Sequence, residues 1–68
     1  KSIITPIEVK AGKTGSLKSL LFFMKEKKAK IGVQICASPL SFKNNILTIP
    51  FYLIEELPRL IKSILAQN

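Results

Sequence analysis

The chain has 68 residues and a formal net charge of +7, from 11 Lys and Arg against four acidic residues, all Glu; apolar residues make up 47% of it, and mean hydropathy is +0.29. That size allows one small domain with a marginal core. The absence of His removes Ser-His and Cys-His catalysis and His metal sites, the lone Cys36 rules out an internal disulfide, and no apolar run approaches the ~20 residues of a membrane span.

Ile3–Lys10 reads as a first strand, with Pro6 at its entry because proline removes a ladder donor. Two glycines then mark a turn over Ala11–Gly15. A helix is expected from Ser16 to Lys27, capped by Thr14 or Ser16. Its apolar stripe is Leu17, Leu20, Leu21 and Met24, at the i, i+3, i+4, i+7 spacing of a core face. Phe22 falls on the far side, as a lone exposed aromatic or as part of a contact with elements outside this stretch. Lys25, Lys27, Lys28 and Lys30 crowd the helix end, where cations complement the dipole.

Ile31–Ala37 reads as a second strand. Strand–helix–strand with short joins predicts a parallel pair with a right-handed crossover. Ser38–Asn45 reads as a loop, marked by Pro39 and Asn44-Asn45. Ile46–Ile49 is a short third strand. Phe51, Ile54, Leu57, Leu60, Ile61, Ile64 and Leu65 then keep a helical period. Pro50 suits a first-turn position, and Pro58 predicts a kink or two consecutive helices. The expected fold is α/β in the order β-α-β-β-α: a small mixed sheet with two helical segments.

The chemistry-bearing stretch is Pro6-Ile7-Glu8-Val9-Lys10-Ala11-Gly12. On a strand, Glu8 and Lys10 share one face while Ile7 and Val9 share the other. A carboxylate suits Mg²⁺, and a lysine beside it can orient or activate a water. The chain contains no Asp to complete such a site. A same-face Glu and Lys also reads as a plain surface pair worth ~0–1 kcal/mol. Gln34 and Cys36 belong on the Glu8/Lys10 face or its reverse, and spacing leaves both open. Cys36 suits a small half-buried filler better than a reactive thiol.

Gly12-Lys13-Thr14 imitates the end of a phosphate-binding loop, but position 7 is Ile where that loop needs glycine. Glu55 and Glu56 point about 100° apart on a helix. They suit the negative charge favoured at the start of a helix near Pro58 better than a catalytic pair. The basic balance steers toward nucleic acid or an anionic membrane surface, with Lys10, Lys13 and Lys18 as candidates for weak nucleic-acid contact. A solvated lysine surface explains the same count. Arg59 is the only arginine, although phosphate forks and base reading favour Arg.

Four ordered segments carry a resemblance: residues 6–12, Gly15-Ser16-Leu17-Lys18-Ser19-Leu20, Pro39-Leu40-Ser41-Phe42 and Ile49-Pro50-Phe51-Tyr52-Leu53. Together they resemble the C-terminal domain of unknown function that follows the core of bacterial and archaeal predicted AAA-type ATPases. That module is similar at its end to the restriction-endonuclease-like fold. The resemblance spans nearly the whole chain and implies that residues 1–68 are the single, partial C-terminal domain of such a protein. The start at Lys1 and the high apolar content fit that expectation.

By this resemblance Glu8 becomes a metal ligand and Lys10 the water-activating partner of a vestigial or incomplete site. Mg²⁺ is implied only for the full-length parent, with no cofactor in this stretch alone. The resemblance implies the rest of the ATPase chain as partner; the open edge of a three-stranded sheet and the apolar excess point to a second copy of the stretch, the basic charge to nucleic acid, and the single cysteine to a reducing cytoplasm. The leading expectation is a non-catalytic accessory or interaction module. The alternative is a metal-dependent nuclease or DNA-binding domain that uses Glu8 and Lys10 completed by upstream residues. An autonomous basic DNA-binding protein is a third class, without a helix-turn-helix or zinc pattern behind it.

Overall fold

A computed structural model describes residues 3–10 and 17–67. Within them the strands are β1 (Ile7–Val9), β2 (Gly32–Cys36), β3 (Ser41–Lys43) and β4 (Ile46–Pro50). The helices are α1 (Lys18–Lys27) and α2 (Leu57–Ala66), the latter preceded by a 3₁₀ segment over Phe51–Glu56. The fold is mixed α/β. The strands form one sheet in the order β1-β2-β4-β3. β1 runs parallel to β2 and β2 parallel to β4, while β3 is antiparallel to β4.

β2 and β4 are central, and both are buried along their whole length. One sheet face carries Val33, Ile35, Leu47 and Ile49, which pack with Leu57 into the main core. Leu53, Leu60, Ile61 and Ile64 close over it. On α2, Leu57, Leu60, Ile61 and Ile64 sit at i, i+3, i+4 and i+7, so one stripe meets the sheet. α1 lies on the opposite face. A Cβ built on Gly32 would stand 2.6 Å from Met24 Sδ and 3.2 Å from Leu20 Cδ1. The glycine therefore lets the helix approach the sheet closely.

Several expectations change. The first strand is confined to Ile7–Val9, although the Lys10 N–H still donates to the Ile35 carbonyl at 2.8 Å. α1 begins at Lys18 after Leu17, which offers no side-chain cap; the proposed caps Thr14 and Ser16 and the turn over residues 11–15 lie outside the described residues. The helix stripe is narrower than its spacing suggests: Leu20 is buried, but Leu21 is 49% exposed, because close contact with the sheet is concentrated at Gly32. Cys36 is fully buried rather than half-buried, since its strand is central and covered on both sides.

The expected loop at Ser38–Asn45 contains β3, which makes the order β-α-β-β-β-α. Asn44 and Asn45 both take positive φ, 53° and 65°. That pair of conformations is the two-residue hairpin turn whose twist matches its strands, and Asn tolerates it. The last helical run divides in two, with the change at Leu57 and Pro58 in the first turn of α2. Phe51 and Ile54 drop out of the core stripe and are 42% and 45% exposed. A 3₁₀ turn repeats every three residues, so it turns a 3.6-residue stripe away from the sheet.

Candidate functional site

The sheet register decides which side chains meet. Glu8 pairs with Gln34, Gln34 with Thr48, and Thr48 with Ser41. Residues in register share a face, so these four polar residues form a row across all four strands. It lies on the face that carries α1. Lys10, just past the end of β1, continues the alternation onto that face.

Glu8 and Lys10 meet as expected. Lys10 Nζ lies 3.3 Å from Glu8 Oε2, and their side chains are 28% (Glu8) and 23% (Lys10) exposed. The other Glu8 oxygen, Oε1, is buried without a hydrogen-bond partner. Gln34 shows the same pattern. Its Nε2 donates to Thr48 Oγ1 at 3.3 Å, while its Oε1 is buried and unpartnered. Gln34 is fully buried in the central strand. Two orphaned acceptor oxygens thus sit on neighbouring register positions. A cleft of about 480 Å³ opens further along the same face, between Gln34, Thr48, Ser41 and Lys43.

A hard cation seeks oxygens of this kind. Mg²⁺ takes six, typically one or two carboxylates plus waters. Here the chain offers the Glu8 carboxylate and the Gln34 amide carbonyl. Among the described residues no three or more of His, Cys, Asp and Glu come together. One carboxylate, already facing the Lys10 ammonium at 3.3 Å, and one amide carbonyl are too few to hold Mg²⁺ by themselves. Glu8 would be one ligand of such an ion, and a second acidic side chain would have to come from outside this chain, which has no Asp.

The remaining candidates separate from this row. Lys13 and the Gly12-Lys13-Thr14 triplet lie outside the described residues. Lys18 opens α1 and has interactions of its own. Cys36 is a free thiol sealed in the core. Arg59 is engaged by Glu56, with Nε and Nη2 each 2.8 Å from Oε1. Glu56 stands at the N-terminal boundary of α2 and Glu55 within the 3₁₀ segment. Sequence reasoning missed Thr48 and Ser41. A threonine inside the apolar run Ile46–Ile49 is the signal that points to Thr48; Ser41 needs the hairpin.

The edge at β1 is open on both layers. Ile7 and Val9 face the α2 side of the sheet but lie outside its cover, 49% and 64% exposed. On the α1 side a groove of about 390 Å³ runs between Glu8, Leu20, Phe22 and Phe23 and reaches Ile7 at the strand edge. Phe22 is 65% exposed. No protein family, curated protein or solved structure matches the chain. Among the described residues, no helix is long and apolar enough to cross a membrane.

Proposed function

We propose that this chain is a non-catalytic accessory and interaction module of a predicted AAA-type ATPase, acting in the cytoplasm. The observation that carries the interaction reading is the unfinished β1 edge, where Ile7, Val9 and Phe22 expose apolar surface on both sides of one strand. Contiguous apolar surface of this sort marks contact with another protein element. The link to an ATPase rests on the four-segment resemblance. Residues kept for contact contribute little to the fold itself. Ile7→Thr with Phe22→Ser is therefore expected to shift the melting temperature by less than about 4 °C while lowering self-association and dye binding to exposed apolar surface. A larger fall in melting temperature, with association unchanged, would assign both residues to the fold and overturn the reading.

A second reading rests on the orphaned Glu8 and Gln34 oxygens. In it the row is one side of a metal-dependent nuclease site, completed by a carboxylate from upstream. The metal would polarise a phosphate and activate a water. Glu8 would hold the ion and Lys10 would orient the water. Cleavage of plasmid DNA in Mg²⁺ or Mn²⁺ by a longer protein, lost in Glu8→Ala, would favour this second reading over the first.

A further inference from the structure

We infer that the partner at the β1 edge is a second copy of this chain, joined strand to strand about a two-fold axis through Val9. The inference rests on the interaction reading and names its partner.

The backbone of β1 decides which residues can pair outward. Val33 N–H donates to the Pro6 carbonyl at 2.9 Å, and Lys10 N–H donates to the Ile35 carbonyl at 2.8 Å. In a parallel ladder the bonding residues alternate. Pro6, Glu8 and Lys10 therefore face β2, and the N–H and C=O of Ile7 and Val9 point away from the sheet. No strand lies beyond them among the described residues. A free edge of this type recruits another strand.

Self-pairing has few registers, and side-chain charge separates them. Antiparallel pairing centred on Glu8 sets Glu8 against Glu8 of the second copy. Pairing centred on Val9 sets Glu8 against Lys10 and Lys10 against Glu8, on the same face. In that register the two Val9 residues form the hydrogen-bonded pair and exchange both N–H···O bonds. The flanking Glu8–Lys10 pairs are non-bonded positions, where side chains come closest. Each Glu8 carboxylate, whose Oε2 already meets Lys10 of its own chain at 3.3 Å, then also faces Lys10 of the second copy. On the opposite face the two exposed Val9 side chains cover each other. The interface is self-complementary, as a two-fold contact requires, and it produces one continuous eight-stranded sheet. The chain's +7 charge opposes association, and added salt screens that repulsion over ~8–10 Å.

Charge swaps test the register. Glu8→Lys alone sets Lys against Lys across the axis, and Lys10→Glu alone sets Glu against Glu. Each is expected to weaken self-association about tenfold, since two attractive pairs become repulsive. An equimolar mixture of the two restores every opposite-charge pair, so it is expected to associate at least as tightly as the unaltered chain. Val9→Pro removes an outward N–H that the chain's own sheet does not use, and proline is tolerated on an edge. It is expected to abolish pairing while circular dichroism stays unchanged.

Sedimentation across a concentration series reads each variant, and amide exchange reads Val9. Association that survives both Val9→Pro and the charge swaps would refute strand pairing and leave the interaction reading standing. A chain that is monomeric throughout, with no protection of the Val9 amide, would refute the second copy as partner. Protection of that amide only when an unrelated alternating Thr-Val peptide is added would show that the edge takes a foreign strand, and would overturn the self-pairing.

Discussion

Glu8 and Gln34 stand opposite each other on adjacent parallel strands, and each keeps one buried oxygen without a donor. An unsatisfied buried acceptor costs ~1–3 kcal/mol. Two on neighbouring positions concentrate that cost at one place in a chain of 68 residues. They lie beside the strand whose outer edge is unpaired. The polar row and the open edge are thus one region, and both interaction readings and the nuclease alternative draw on it.

The chain alone is expected not to cut DNA. Its site offers one carboxylate, and Mg²⁺ bound through one carboxylate and one amide is poorly held. Incubation with plasmid and linear DNA in Mg²⁺ or Mn²⁺ checks this. Cleavage that vanishes in Glu8→Ala would place a working site within these residues.

Nucleic-acid binding is expected to be weak, salt-steep and without sequence preference. Ten of the eleven basic residues are Lys, and Arg59 is held by Glu56. Lysines bind phosphate mainly through charge, so affinity falls linearly with salt on a logarithmic scale through counterion release. Titration of labelled duplexes of different sequence at rising salt measures it. Tight binding to one sequence at physiological salt would contradict the expectation.

Much of the architecture was legible because its periods are clean. The Glu8/Lys10 alternation placed both side chains on one face, and they meet at 3.3 Å. Leu57, Leu60, Ile61 and Ile64 predicted the core stripe of α2. β3 was hidden because Ser41-Phe42-Lys43 is too short and too mixed to show a strand period; its turn depends on two asparagines at positive φ, which read equally well as an ordinary loop. The polar row was hidden for a different reason. Gln34 and Thr48 are 14 positions apart, and only the register of β2 with β4 brings them together.

Gly32 and Met24 are expected to be coupled. Gly32→Ala places a methyl 2.6 Å from Met24 Sδ and 3.1 Å from its Cγ, so the thioether must move. The cost is expected near the ~1–3 kcal/mol of an overpacked core. In a Met24→Ala background the clash disappears, and the cost of Gly32→Ala falls to the contact with Leu20 Cδ1 at 3.2 Å. A double-mutant cycle by urea denaturation gives the coupling directly. Additive effects would mean that α1 does not rest on Gly32 through Met24.

Lys28 ends α1 in the left-handed region, at φ 53° and ψ 42°. Its N–H reaches the Lys25 carbonyl at 3.2 Å, and the Ala29 N–H reaches the Met24 carbonyl at 2.9 Å. This is the pattern of a helix C-terminus whose residue after the last turn adopts the left-handed conformation. Glycine adopts it without the Cβ crowding that costs an L-residue roughly 1–2 kcal/mol. Against this, glycine has more freedom to lose on folding, worth about 0.5–1 kcal/mol. Lys28→Gly also removes one cation from the crowded end of α1, where Lys25 and Lys27 already occupy the last turn. That relieves like-charge repulsion but gives up a small favourable interaction with the helix dipole. The net expectation is a gain of roughly 0.5–1 kcal/mol, read as a rise of a few degrees in melting temperature. Lys28→Ala separates conformation from charge: it removes the same cation but keeps a Cβ, so it is expected to gain little. Equal gains from both substitutions would assign the effect to charge, and a loss with glycine would show that Lys28 does not hold the left-handed cap in solution.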